Sequence, residues 1–120
     1  MNIEEFRSFC LSLPGVTEEF PFDEETLVYK VEGRIFAITN LGFFESINLK
    51  CDPEKAVELR EKYEEVQPGF HMNKKHWNTV TIEGTVSKKL LISWIKDSYS
   101  LVVEKLPKSV KIQLQTLRKS

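Results

Sequence analysis

Leu27-Val28-Tyr29-Lys30-Val31-Glu32-Gly33-Arg34-Ile35-Phe36-Ala37-Ile38-Thr39 decides how this chain is built. Leu27, Tyr29 and Val31 alternate with Val28 and Lys30, the two-residue period of a strand with one buried face. Glu32-Gly33 then reads as a two-residue turn, because glycine accepts the positive φ that tight hairpins need. Arg34 to Thr39 is the returning strand, and a turn this short makes the pair antiparallel. Asn40-Leu41-Gly42 turns again into residues 44–51, where Ile47, Leu49 and Cys51 share a face. Three meandering strands give a sheet with one apolar face, which must be covered by a second layer.

The rest of the chain supplies that layer. Ile3, Phe6, Phe9, Cys10 and Leu13 recur at helical spacing, and Pro14-Gly15 ends the helix. An acidic, aromatic stretch, Glu18-Glu19-Phe20-Pro21-Phe22-Asp23-Glu24-Glu25, leads into the first strand. Asp52-Pro53 is a side-chain cap followed by proline at the first helical position. The helix it opens turns Ala56, Leu59 and Tyr63 inward and can pair Glu58 with Lys62 outside. Pro68-Gly69 interrupts, and Asn78, Val80 and Ile82 then alternate as a strand. Ser87 caps a long helix with Leu91, Trp94, Ile95, Ser98, Val102 and Tyr99 on its inner stripe. Pro107 opens a last helix with Val110, Leu114 and Leu117 inside. The expected architecture is a two-layer α+β domain over residues 1–120, an antiparallel sheet covered by helices. Its expected order is α-β-β-β-α-β-β-α with an extra C-terminal helix.

At 120 residues the chain is long enough for one core. No apolar run approaches the ~18 residues of a membrane span, and the acidic start lacks the basic, apolar pattern of a secretory leader. Cys10 and Cys51 have no metal-type spacing, so they read as reduced thiols of a cytoplasmic protein, with a Cys10–Cys51 disulfide as the alternative. Charge is uneven. Residues 1–60 hold 6 basic and 12 acidic side chains, net −6, and residues 61–120 hold 11 and 6, net +5. The basic half suits an anionic partner, and a mixed solvated surface would explain it as well.

No glycine-rich phosphate loop and no nucleophile elbow occurs, so the expectation is a non-enzymatic protein without a cofactor. Cys51 precedes a helix N-terminus, where a thiolate is stabilised, but it also continues the inward face of Ile47 and Leu49. The densest polar run is Gly69-Phe70-His71-Met72-Asn73-Lys74-Lys75-His76-Trp77-Asn78-Thr79. As a strand–loop–strand tip it would use Phe70 and Trp77 as braces and project Asn73, Lys74, Lys75 and His76. Adjacent ammonium groups suit phosphate oxygens, and asparagine can reach a base edge or a phosphate. A rigid loop with solvated lysines is the plain alternative. His71 and His76 lack the spacing of a helical zinc pair and have no adjacent cysteine or carboxylate. On the last helix Lys108, Lys111, Gln115 and Arg118 form a polar stripe that could follow a nucleic-acid backbone or could simply be the wet face. Glu18, Glu19, Asp23, Glu24 and Glu25 lack the fixed spacing of a calcium loop and read first as a solvated turn.

With these residues in hand, the chain resembles the MmcQ/YjbR family of small bacterial proteins over nearly its whole length. The resemblance rests on Leu13-Pro14-Gly15-Val16-Thr17-Glu18 with Pro21-Phe22, on Lys50-Cys51-Asp52-Pro53-Glu54, and most specifically on Pro68 to Thr79. The family often has tyrosine at the position of Phe70, and the tail beyond Leu106-Pro107 is less characteristic. The resemblance implies a CyaY-like (bacterial frataxin-like) fold and DNA binding through a double-wing arrangement, with contacts on Asn73, Lys74, Lys75 and His76. The frataxin-like fold also implies an alternative, a protein-interaction or small-ligand/metal-handling module, with the metal-handling or protein-docking surface at Glu18, Glu19, Glu24 and Glu25.

Overall fold

The computed structural model describes residues 1–69 and 72–119 and, for residues 118 and 119, the backbone alone. The elements follow in the order α1 (Ile3–Ser12), β1 (Val16–Glu19), β2 (Thr26–Val31), β3 (Arg34–Asn40), β4 (Ser46–Lys50), α2 (Pro53–Lys62), β5 (Val66–Pro68), β6 (Trp77–Thr81), α3 (Lys88–Glu104) and α4 (Lys108–Lys119). The strands form one sheet in the order β1-β2-β3-β4-β6-β5, with every neighbouring pair antiparallel. This is the expected two-layer α+β architecture, with one strand more than expected, because Val16–Glu19 adds an edge strand along β2. Among the described residues no helix is long and apolar enough to cross a membrane.

Local chemistry starts the helices where the sequence indicates. The Asn2 side chain accepts from the Glu5 N–H at 2.8 Å while Glu5 reaches back to Asn2, a reciprocal cap on α1. Asp52 with Pro53 caps α2, and Ser87 caps α3. The Glu32-Gly33 turn has φ of 50° and 78°, the positive pair that matches a hairpin to the strand twist.

Two cross-strand rows face the helices. One is Leu27, Thr39, Ile47, Val80 and Val66; the other is Glu18, Tyr29, Ala37, Leu49, Asn78 and Pro68. Phe6 and Cys10 from α1 and Leu91, Trp94, Ile95 and Val102 from α3 close over them. Burying each large apolar side chain stabilises the fold by about 1.5–3 kcal/mol. The register slips by one residue at Tyr29/Lys30, which leaves Phe36 unpaired and turns both Phe36 and Ala37 inward. Ser98 of α3 satisfies the backbone there. Its hydroxyl donates to the Phe36 carbonyl at 2.6 Å and accepts from the Lys50 N–H at 2.8 Å. That explains a fully buried serine on an apolar stripe.

Three local expectations need correction. Leu117 is 58% exposed instead of buried, because α4 docks through Leu114 and the half-buried Val110. Glu58 and Lys62 form no ion pair; the Lys62 ammonium stands 5.5 Å from the Tyr63 ring centroid. Cys51 is only half-buried. Both thiols are free, and burial raises the pKa of each.

The antiparallel register gathers chain segments at two ends of the sheet. Thr26, Asn40, Ser46 and Thr81 mark one end, and Val31, Arg34, Lys50 and Trp77 mark the other. Asp23, Glu24, Glu25 and Glu45 lie in loops at the first end. The Glu32-Gly33 turn and the loop of residues 72–76 lie at the second. Four carboxylates therefore stand in the loops of the first end, while the second end joins Arg34, Lys50, Lys74 and Lys75 with Glu32.

Candidate nucleic-acid interface

β5 and β6 are antiparallel neighbours joined by a loop of which Gly69 and residues 72–76 are described. Its base closes through the Gly69 N–H donating to the Trp77 carbonyl at 2.8 Å. Only glycine fits this base, since a Cβ at Gly69 would lie 2.8 Å from the Trp77 Cβ and 3.0 Å from its carbonyl oxygen. The tip is a turn that Asn73 builds. Its Oδ1 accepts from the Lys75 N–H at 3.0 Å and its carbonyl accepts from the His76 N–H at 3.2 Å. The His76 carbonyl in turn accepts from the Cys51 N–H at 2.8 Å, which extends the β4–β6 ladder past Trp77.

A residue that the sequence reading did not single out holds this loop. Arg60 of α2 donates from Nε to the Asn78 Oδ1 at 2.7 Å and from Nη2 to the carbonyls of Lys74 and Trp77. Asn78, only 2% exposed, completes its bonding by donating to the Ala56 carbonyl at 3.4 Å. One guanidinium thus satisfies a buried amide and two loop carbonyls and ties the projection to α2. Its charge goes to carbonyl oxygens, which leaves the lysine charges unneutralised.

Lys74 and Lys75 are exposed, and neither ammonium group has a hydrogen-bond or ion-pair partner among the described residues. With Arg60, Pro53, Val57 and Glu54 they line an open trough between α2 and the loop, and Glu54 is its carboxylate. Asn73 serves the turn first, so its amide NH₂ is what remains for a ligand. His76 is half-buried and contributes its backbone to the ladder. Trp77 is half-buried, and its backbone carbonyl accepts from Gly69 and Arg60 at the base. Phe70 and His71 lie outside the described residues, so the expected Phe70 brace and the His71/His76 pair have no description. Among the described residues no three His, Cys, Asp or Glu side chains converge as a metal site.

Further cations share this end. Lys50, the last residue of β4, is half-buried; burial and then the charges of Lys105 and Arg34 hold its ammonium pKa below the ordinary lysine value. Lys105 closes α3, and Lys108 opens α4 three residues on. A Cβ on Gly15 would meet Leu114 Cδ2, with Glu32 and Val31 next nearest, so α4 lies against the hairpin end. Lys108 is exposed and Lys111 half-buried. The side chain of Arg118, the stripe's last member, lies outside the described residues. The loop lysines and the hairpin against which α4 lies stand apart along the sheet. β2 and β6 are three strand spacings apart, about 14 Å at ~4.8 Å each, with Arg34 and Lys50 between them.

The acidic stretch divides differently from the sequence reading. Glu18 is no solvated turn residue. It accepts from Arg7 at 2.7 and 3.0 Å and from the Tyr29 hydroxyl at 2.6 Å. The Arg7 bonds, aided by Tyr29, lower its pKa against the opposing effect of burial. Glu19 pairs with Lys30 at 3.5 Å. Asp23 accepts from the N–H groups of Glu25 and Thr26 and builds its own turn. Glu24 and Glu25 remain exposed.

A family model described as YjbR matches residues 11–101. The chain belongs to the YjbR family. The matched span holds Arg34, Lys50, Arg60, Lys74 and Lys75 and stops before α4. This YjbR-family chain is 41% identical over 106 residues to Uncharacterized protein YbdF of Escherichia coli O157:H7, covering 88% of this chain and 87% of the relative. It is 32% identical over 108 residues to Uncharacterized protein YjbR of Escherichia coli strain K12, covering 89% and 92%. Among solved structures it is similar to Deinococcus radiodurans protein DR2400, of family domain DUF419, with a TM-score of 0.89 at 41% identity over 95% of this chain and 88% of that one. A Pseudomonas syringae protein gives a TM-score of 0.71 at 26% identity, covering 84% and 98%. The names of these YjbR-like relatives carry no activity.

Proposed function

We propose that this YjbR-family chain is a non-enzymatic, cytoplasmic DNA-binding protein whose basic strand end takes the phosphates. What carries the reading is charge left unpaired. The ion pairs among the described residues engage Arg7, Lys30, Lys55 and Lys88. Arg34, Lys50, Lys74, Lys75, Lys105 and Lys108, which sit together at one end, enter none of them. Six cations gathered from five separate segments, none in an ion pair and with the carboxylates of Glu32 and Glu54 among them, raise the local potential and favour a polyanion. The ~14 Å from the hairpin side to the loop is about four nucleotides along one strand at ~3.4 Å each. Asn73 and His76 add polar contacts at the tip, and Lys111 adds one more cation on α4.

The test is binding of duplex and single-stranded DNA across a salt series. With about four phosphates neutralised, log K against log salt should slope near −3 to −4. Lys74→Ala/Lys75→Ala should weaken binding and lose up to about two units of slope. Failure of the parent to bind either form at low salt overturns the reading.

A further inference from the structure

The opposite strand end carries a surface that DNA binding does not use. Phe22 and Phe43 are each 69% exposed, Phe20 42% and Leu41 36%. They come from two loops, residues 20–25 and 41–45, joined by the Leu41 N–H donating to the Glu25 carbonyl at 2.8 Å. Both loops are turned by hydrogen bonds to their own side chains. Asp23 collects the Glu25 and Thr26 N–H groups, and Asn40 Oδ1 accepts from the Phe43 N–H at 2.8 Å. The rings are therefore presented by built turns. Folding finds no use for them, since the neighbouring Phe44 turns inward onto Phe6 at 5.4 Å while Phe43 points out. Together they expose roughly 400 Å² of apolar surface, the size at which a patch on a monomer is often functional.

The charge around the rings identifies the partner. Glu24, Glu25 and Glu45 are exposed on the same two loops and enter no ion pair among the described residues. Aromatic faces beside carboxylates attract ammonium and guanidinium groups and repel anionic surfaces. A second copy of this chain fits poorly. Two such patches face to face would oppose carboxylates, and among the described residues the exposed large apolar side chains towards the chain's own basic end stand on separate helices, Val57 on α2 and Ile112 and Leu117 on α4. We propose that the Phe20/Phe22/Leu41/Phe43 surface docks a cationic amphipathic helix of a partner protein, with apolar side chains on the rings and lysines or arginines on Glu24, Glu25 and Glu45.

The experiment titrates the isotope-labelled full chain with an 18-residue leucine/lysine amphipathic peptide and follows backbone amide shifts. Shifts concentrated in residues 20–25 and 41–45 support the proposal. So does a loss of at least about tenfold in affinity in Phe22→Asp/Phe43→Asp with an unchanged melting temperature. Three results overturn it: shifts that map elsewhere, equal binding of a leucine/glutamate peptide, or concentration-dependent self-association that the same variants abolish, which would assign the patch to a second copy. The DNA titration reads the other end of the sheet, so either result stands without the other.

Discussion

The loop of residues 72–76, with two lysines, and the stretch of residues 18–25, with five carboxylates, are both dense in charge in sequence, yet the fold treats them in opposite ways. On the acidic side charge is partly consumed: Glu18 by Arg7 and Tyr29, Glu19 by Lys30, Asp23 by its own turn. On the basic side the structural bonds are made by neighbours, Arg60 through its guanidinium and Asn73 through its amide oxygen. The ammonium groups of Lys74 and Lys75 take no part in this bonding and enter no ion pair among the described residues. Charge density in a sequence therefore measures little until one knows which groups the fold has engaged, and the two regions should fail differently when altered.

Arg60→Ala should have the largest effect. It removes the donors to Asn78 and to two loop carbonyls at once, and a buried acceptor left without its charged partner costs about 2–3 kcal/mol. Chemical denaturation should show that loss with little change in m-value. DNA affinity should fall as well, although both lysines remain, because the loop loses its tie to α2. Gly69→Ala comes next. The added methyl must displace the Trp77 Cβ or its carbonyl, an overpacking cost of about 1–3 kcal/mol. Amide exchange should quicken first between residues 72 and 77.

On the acidic side, Glu18→Gln should cost about 1–2 kcal/mol at neutral pH. The sign of its pH dependence is fixed. Arg7 lowers the folded pKa, so the stabilisation is complete above the unfolded value of ~4.3 and is lost as pH falls through the folded value. Thermal melts of parent and variant should therefore stand apart near pH 6 and converge in acid. A gap that widens on acidification would contradict the bonding described for Glu18.

The same contrast explains what could be read from the sequence. The Glu32-Gly33 hairpin, the Asp52-Pro53 and Ser87 caps and the inner stripe of α3 are signals carried within a few residues, and each forms where expected. β1 escaped notice because Val16-Thr17-Glu18-Glu19 has one apolar side chain. It is a strand because β2 pairs with it and Arg7 takes its inward carboxylate. Arg60 carries no local signal of its role, since its partners lie 14 to 18 residues away. The lysine loop itself was visible in sequence. The company it keeps was not, because Arg34, Lys50 and Lys105 meet only after the sheet is assembled.

The smallest effects on folding should come from charge removal at the two ends, and they separate the ends most cleanly in binding. Lys74→Ala/Lys75→Ala and Glu24→Gln/Glu25→Gln should each leave the melting temperature unchanged, because none of the four side chains enters an ion pair among the described residues. DNA affinity should respond to the lysine pair alone. A five-residue strand is about 17 Å long, roughly two Debye lengths at 0.15 M salt, so the acidic end is screened from a phosphate at the basic end. The glutamate variant should thus bind DNA within about twofold of the parent at that salt, and should gain on it only at ~0.01 M, where the Debye length reaches ~30 Å. A larger gain at physiological salt would mean that DNA runs along the strands instead of across their basic end, and the acidic loops would then count as part of its path.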